Sequence, residues 1–134
     1  MATHDSTTLA VDDYEFPRGS KGLATLVGAA LFVLSSRRQF IEPRSVIHDH
    51  ILARSVKAAT YSKTVQDIIF YWFIGVHGAG TAHFAYTKLK QYNVKLTSLA
   101  WLQWILTVFL GGSAAVSHFD DFVEKKELKA LKDI

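Results

Sequence analysis

Residues 96–119 read LTSLAWLQWILTVFLGGSAAVSHF and contain no charged side chain. Residues 68–87, IIFYWFIGVHGAGTAHFAYT, are also free of charge. A helix needs about 20 residues to cross the hydrocarbon core of a bilayer, and two such apolar stretches in tandem are unusual in a soluble domain. The two stretches therefore predict transmembrane helices over about 68–87 and 97–119.

A third apolar stretch, residues 22–36, is shorter and lies between Lys21 and Arg37. These flanking cations can extend to the lipid headgroups and make up the missing length. The stretch predicts a third span, with a buried or half-inserted helix as the alternative. The polar N-terminal tail before it, residues 1–21, carries four acidic side chains, and this composition argues against a signal peptide and against a mitochondrial presequence.

Between the first two spans, apolar residues from Val46 to Ala59 recur at helical spacing, and basic residues lie mainly on the other faces. This pattern, begun by Pro43, predicts an amphipathic helix over about 43–63 that lies on the membrane surface. Docking on a partner protein is the alternative. The basic residues assigned to the membrane surface are Arg37, Arg38, Arg44, Arg54 and Lys57.

The distribution of Lys and Arg predicts the orientation of a three-span chain. The loop after the first span carries six such residues, and the charged C-terminal tail, residues 120–134, carries four. The N-terminal tail and the second loop carry two and three. Because cytoplasmic loops are enriched in Lys and Arg, we expect the first loop and the C-terminal tail on the cytosolic or matrix side.

Composition and motifs exclude several classes of function. The chain has 134 residues, of which 49% are hydrophobic and 20% charged, and no cysteine. The missing cysteine excludes a disulfide framework, a thiolate metal site and a cysteine nucleophile. Hydrolase, zinc-protease and phosphate-loop motifs are absent from the sequence, and its basic residues give no case for nucleic-acid binding. Enzyme activity is therefore not the favoured interpretation.

The predicted spans contain five polar residues that could pack helices or carry chemistry: His77, His83, Gln103, Thr107 and His118. Polar groups in lipid tend to face the interior of a bundle, and small residues let helices approach closely. We expect the polar stripe of the third span, which contains Gln103, Thr107 and His118, to pack against a small-residue face of the second span. The helix-packing residues are Gly75, Gly78, Ala79, Ala82, Gly111 and Ala115.

The intramembrane histidines support two alternative hypotheses. Neutral imidazole can ligate haem iron, so the chain could be a haem- or quinone-binding membrane anchor. His77 and His118 are expected at different depths, however, so a haem would require a second subunit. The other alternative is a membrane-embedded lipid-modifying enzyme or transporter that uses His77 and Gln103.

The order of features resembles the transmembrane protein 254 family of small eukaryotic multi-pass proteins. The matching residues are the His48–Asp49–His50 cluster, His77 at mid-helix, the basic loop 88–95, and Trp104 with the run Thr107-Val108-Phe109-Leu110-Gly111. The resemblance covers about residues 46–116. It implies a helical membrane bundle and no established activity.

The sequence thus predicts an all-α membrane bundle of three transmembrane helices and one surface helix. The favoured function is that of an accessory or scaffold protein, which packs with a partner membrane protein or with a second copy of itself. The endoplasmic reticulum membrane is the expected location, with the mitochondrial inner membrane as the alternative.

Overall fold

The computed structural model describes residues 10–133, and these form helices and turns without a β-strand. The α-helices are α1 (Gly19–Ser36), α2 (Val46–His50), α3 (Val56–Trp72), α4 (Gly78–Phe84), α5 (Leu99–Gly111) and α6 (Ser113–Lys132). Two 3₁₀ turns cover Arg38–Phe40 and Leu52–Arg54, and two π turns cover Phe73–His77 and Ala85–Leu89. The predicted all-α class is confirmed.

Helices α3 and α4 and the two π turns run without a break over residues 56–91, which we call the long helix. Its first half is antiparallel to α1. The rings of Phe32 and Phe70 stack with their centroids 5.8 Å apart, and the Gln66 amide donates to the carbonyl oxygens of Leu34 and Arg37 at 2.9 and 2.7 Å. The charge-free residues 68–87 therefore belong to a helix that starts well before them.

Helices α5 and α6 fold back on each other as a hairpin. The centroid of the Trp104 ring in α5 lies 4.8 Å from that of Phe119 in α6, whereas fifteen residues of straight helix would separate them by about 22 Å. The turn is Gly112, with φ 59° and ψ −136°, a backbone conformation that essentially only glycine adopts. The prediction of one continuous helix over 97–119 is therefore wrong.

The predicted surface helix over 43–63 is also wrong, because the chain is divided there by two helix caps. The Ser45 hydroxyl accepts a hydrogen bond from the N–H of His48 and begins α2, and the Ser55 hydroxyl accepts one from Ala58 and begins α3. A serine in an extended conformation at this position starts a new helix. Arg44, just before α2, has a φ of 78°, which lies outside helical geometry.

Both predicted tails are integrated into the fold. Val11 is 1% exposed, and its N–H donates to the Tyr92 carbonyl oxygen at 3.0 Å. At the other end, α6 continues to Lys132 and buries Phe122 and Val123. The prediction of a polar N-terminal tail is therefore wrong for residues 10–21, and residues 1–9 lie outside the described part.

The main hydrophobic core lies between the N-terminal segment (residues 10–18), the second half of the long helix and the hairpin. Trp104, fully buried, is at its centre, with Phe119 and Phe122 of α6 packed against it. The other members are Val11, Phe84, Leu89, Val94, Ala100, Val108, Ala115 and Val123. Helix α1 and α3 contribute no residue to this core.

Among residues 10–133, α1 is the one helix that has both the length and the hydropathy of a membrane-crossing helix. Its 18 residues extend about 27 Å at about 1.5 Å per residue. Helix α5 is apolar but has only 13 residues. Within the described residues, one helix is thus long and apolar enough to cross a membrane.

Candidate functional site

The two histidines of the long helix line one cleft. It has a volume of about 580 Å³ and lies between the long helix and the turn that joins α5 to α6. His77, His83, Ser113, Ser117 and Asp120 supply most of its polar side chains. The sequence placed His77 and His83 on one helix but gave no reason to expect polar residues of α6 opposite them, because it predicted no hairpin.

His77 fixes the hairpin turn to the long helix. Its Nδ1 lies 2.7 Å from the carbonyl oxygen of Phe109, one of the last carbonyls of α5, which have no partner inside their own helix. Because a carbonyl only accepts, Nδ1 carries the proton, and in the neutral ring Nε2 is left as an acceptor. The imidazole also packs on the Phe73 ring at 4.0 Å between centroids. His77 is therefore at least a structural clamp.

The remaining polar groups of the cleft do not form a relay with His77. His83 is exposed, and Asp120 is paired with Lys88 at 2.5 Å. Among the described residues, no hydrogen bond joins the side chains of His77, His83, Ser113, Ser117 and Asp120 to one another. The cleft has the components of acid–base chemistry without a hydrogen-bonded catalytic set.

Thr107 and His118 face the N-terminal segment, on a different side of the hairpin. The Tyr14 hydroxyl lies 2.5 Å from the Thr107 hydroxyl, which also donates to the Gln103 carbonyl oxygen at 2.7 Å. His118 Nε2 lies 2.7 Å from the Glu15 carbonyl oxygen, so it is the donor there. These bonds, with that of the Trp104 indole N–H to the Asp13 carbonyl oxygen at 3.0 Å, attach the N-terminal segment to the core.

The expected packing of the polar stripe on the small-residue face of the second span is therefore wrong. A Cβ added at Gly75 or Gly78 would meet no atom within 4 Å, and Ala79 and Ala82 are exposed. The close approach is instead between α1 and the hairpin turn: a Cβ at Gly28 would overlap the Leu110 carbonyl oxygen, and one at Gly111 would overlap the Thr25 hydroxyl. Ala115 is fully buried in the main core.

The predicted basic surface residues lie on the connection between α1 and the long helix. Arg37, Arg44, Arg54 and Lys57 are exposed. Arg38 has a structural role, because its guanidinium donates to the Lys63 carbonyl oxygen at 3.0 Å, the Gln66 amide oxygen at 2.7 Å and the Asp67 carboxylate at 2.9 Å. The basic cluster is thus retained without the predicted surface helix.

Beside this cluster lie two adjoining pockets that the sequence did not indicate. An apolar cavity of about 390 Å³ lies between α1, α3 and the connection, with Leu31, Leu34, Leu52 and Val65 in its wall. A polar pocket of about 300 Å³ shares Ile41 and Ser62 with it. Its charged or titratable lining residues are Arg38, Glu42, His48 and Lys63. Only the tertiary fold brings these residues together.

The described histidines do not converge on a cofactor site. His77 and His118 bind different carbonyl oxygens, on different sides of the hairpin. Within residues 10–133, no group of three or more His, Asp or Glu side chains could hold a metal ion. The geometry of this chain alone therefore gives no support to bis-histidine haem ligation.

Electrostatic pairing outside the apolar helices concentrates at the end of the molecule where α1 begins. Lys21 of α1 and Asp121 of α6 are paired at 2.5 Å, and Lys126 of α6 and Asp13 at 2.8 Å. The hydrogen bond and the charge of Lys21 lower the pKa of Asp121 below its ordinary value. These pairs fix α6 to α1 and to the N-terminal segment.

Comparisons of the chain with protein-family models, with curated proteins and with solved structures found no match. The resemblance to the transmembrane protein 254 family stays a prediction from the sequence.

Proposed function

We propose that this chain is a small helical membrane protein that acts as an accessory or scaffold subunit. In this proposal α1 and the long helix cross the bilayer, and their outer surface binds a partner membrane protein or a second copy of the chain. The hairpin packs against them as a re-entrant element. No catalytic role is required of its side chains.

The observation that carries this proposal is a set of exposed apolar side chains on α1 and on the long helix up to residue 76. Soluble monomers rarely expose an apolar patch of more than a few hundred Å². The exposed residues are Leu23, Leu26, Val27, Leu31, Val33 and Leu34 on α1, and Val65, Ile68, Tyr71, Trp72, Ile74 and Val76 on the long helix. Lipid or a partner helix would cover this surface.

The satisfaction of polar groups also supports a lipid environment, where water cannot provide hydrogen bonds. The hydroxyls of Thr25 and Ser35 donate to carbonyl oxygens of their own helix at 2.9 and 3.1 Å. Among the described residues, no buried side-chain nitrogen or oxygen lacks a hydrogen-bond partner. The apolar segments 22–36 and 68–87 carry no charge, and ion pairs flank them at both ends.

The hairpin changes the orientation that we propose for the chain. Because α6 returns beside α5, the second loop and the C-terminal tail belong to one side, together with the N-terminal segment (residues 10–18). That side carries nine Lys and Arg residues: Arg18, Lys21, Lys88, Lys90, Lys95, Lys125, Lys126, Lys129 and Lys132. The connection between the spans carries six. By the positive-inside rule, both termini are cytosolic and the first loop is on the opposite side.

Single-cysteine labelling tests this topology, and the natural absence of cysteine makes every introduced thiol unique. We expect Arg54→Cys and Lys129→Cys in sealed membrane vesicles to react with an impermeant maleimide from opposite sides. Labelling of both from the same side would contradict the re-entrant hairpin and favour three complete spans. Resistance of the chain to alkaline carbonate extraction is the control for membrane integration.

Crosslinking in native membranes tests the partner surface. Gly75 is exposed and has open space around it, so Gly75→Leu leaves the fold intact but blocks close approach of another helix. We expect the variant to lose crosslinks to a partner or to a second copy, while Gly75→Ala retains them. Equal crosslinking of both variants, or a clean monomer without any partner, would argue against the proposal.

The endoplasmic reticulum is the compartment that we propose, and fractionation against mitochondrial inner-membrane markers tests it.

The cleft beside His77 favours one second candidate, a lipid-modifying enzyme or transporter, because its volume of about 580 Å³ is in the range of small-molecule sites. Activity toward lipids that disappears in His77→Ala, while the variant keeps its helical circular dichroism spectrum, would support this candidate over the scaffold.

A further inference from the structure

The two pockets beside the basic cluster adjoin each other and differ in polarity. The apolar cavity, about 390 Å³, and the polar pocket, about 300 Å³, share Ile41 and Ser62 in their lining. Each volume is within the range of ligand sites, about 300–1,000 Å³. A molecule that fills both must have a hydrocarbon part and a polar part.

The apolar cavity is suited to a hydrocarbon chain because most of its polar lining residues already have hydrogen-bond partners. The exception is Tyr61, which is 60% exposed. The Ser35 and Ser62 hydroxyls donate to the carbonyl oxygens of Phe32 and Ala59 at 3.1 and 2.8 Å. The Gln66 amide donates to two main-chain carbonyl oxygens and its oxygen accepts from Arg38. The wall therefore presents mainly aliphatic and aromatic surface to a ligand, and Leu34 and Val65 are among its aliphatic residues.

The polar pocket has the charges of a zwitterion receptor. Lys63 and Glu42 both line it, and neither forms an ion pair with any residue between 10 and 133. Arg38 is neutralised by Asp67 at 2.9 Å, yet three of its five N–H donors are used, so two can still bind an anion. Cationic and anionic groups are thus both available to one ligand.

We propose that this site binds a membrane phospholipid with a zwitterionic headgroup. One acyl chain occupies the apolar cavity, the phosphate contacts Lys63 and Arg38, and the headgroup ammonium contacts Glu42. The inference rests on the membrane placement proposed above, where this end of the chain faces the non-cytosolic leaflet. Anionic lipids are concentrated in the cytosolic leaflet, so the lipids available to this site in the other leaflet are mainly zwitterionic.

Native mass spectrometry of the full chain in mild detergent measures this binding directly. The probes are phosphatidylethanolamine and phosphatidic acid with the same acyl chains. We expect phosphatidylethanolamine to bind more tightly. Lys63→Ala should weaken its binding about tenfold, equivalent to about 1.4 kcal/mol, because it removes a charge-assisted hydrogen bond to the phosphate. Lys57→Ala, at an exposed residue outside both pockets, should leave it unchanged. Glu42→Gln should shift the preference toward phosphatidic acid.

The cavity is tested by filling it. Val65→Trp places an indole in the wall and should abolish binding, whereas Val33→Trp, on the exposed surface of α1 and outside the lining, should not. If Val65→Trp does not fold, Ala58→Leu replaces it, with Ala53→Leu as its control outside the cavity. Equal binding by the filled and control variants, or tighter binding of phosphatidic acid by the natural chain, would overturn the proposal.

The same samples separate this inference from the proposed function. Loss of specific lipid binding, with Arg54→Cys and Lys129→Cys still labelled from opposite sides, would remove the lipid site alone. A second copy that covers the cavity would appear as a dimer sensitive to Val65→Trp and without bound lipid, and that result also overturns the proposal.

Discussion

The two halves of this molecule differ in how far they bury their large apolar side chains. In the half that contains the hairpin, Trp104, Phe119 and Val123 are almost completely buried in a core. In the half formed by α1 and α3, large residues such as Leu23, Ile68 and Trp72 are more than half exposed. Each half contains a charge-free stretch, residues 96–119 in the hairpin half and residues 22–36 in the α1–α3 half.

The difference shows two arrangements of an apolar stretch: its side chains are buried within the chain, or they remain exposed on its surface. In the hairpin half, apolar side chains bury one another within the chain. This is possible because the chain reverses at Gly112, so that α6 packs against α5. The α1–α3 half packs through one aromatic cluster, in which Phe32 contacts Phe70, Phe73 and Phe109, and its outer apolar side chains stay exposed. Substitutions should therefore affect stability in the first half and association in the second.

Replacement of buried and exposed tryptophans should give the largest contrast. Trp104→Ala removes a fully buried ring and its hydrogen bond to Asp13, and we expect it to lower the free energy of unfolding by about 3–5 kcal/mol. Trp72→Ala removes an exposed ring, and we expect a loss of about 0.5 kcal/mol or less. Guanidinium unfolding in mild detergent, followed by circular dichroism, measures both. Similar losses would show that the two halves are not distinct.

The contrast also explains how much of the fold the sequence could predict. The all-α class follows from long charge-free segments, because hydropathy and length are properties of the sequence itself. The hairpin was missed because a hydropathy pattern does not distinguish one span from two shorter helices. Gly111-Gly112-Ser113 is a turn signal, and the apolar spacing of Phe119, Phe122 and Val123 continues across the expected membrane boundary.

The candidate site was less predictable than the fold, because it depends on contacts between distant residues. His77 could be identified as a polar residue within an apolar stretch, but its bond to the Phe109 carbonyl exists only because the hairpin turn is beside it. The docking of Tyr14 on Thr107 joins residues 93 positions apart. Lys63 and Glu42 line one pocket because helix caps divide the connection between α1 and α3, and the helical spacing of its apolar residues does not predict that division.

Substitution of two glycines compares the stability of the hairpin turn at Gly112 with that of an exposed helical position, Gly80. Gly112→Ala forces a Cβ into a conformation that costs about 1–3 kcal/mol, and that Cβ would lie 3.1 Å from the His77 ring. Gly80→Ala, in open space within α4, should instead stabilise the helix by about 0.5–1 kcal/mol. Opposite shifts in melting temperature are the expected result. A stabilising effect of Gly112→Ala would mean that α5 and α6 form one continuous helix.

Acid should weaken the attachment of α6 to α1, and this is the smallest effect that we expect. The pKa of Asp121 is lowered chiefly by its hydrogen bond to Lys21, so the pair stabilises the folded state above the unfolded pKa of about 4. That contribution is lost as the pH falls through the lower folded pKa. The pair is exposed and screened by solvent, so its effect is best measured as a difference between two chains.

Melting temperatures at pH 7 and pH 3 make that comparison. Asp121→Asn removes the charge at every pH, so the natural chain should lose more stability on acidification than the variant, and the gap between them should narrow at pH 3. High salt at pH 7 should narrow it as well, because screening weakens exposed charge pairs. Asp49→Asn, at the opposite end and without contact to the hairpin, is the control. An equal acid response of Asp121→Asn and the natural chain would show that α6 is held by its buried apolar face alone.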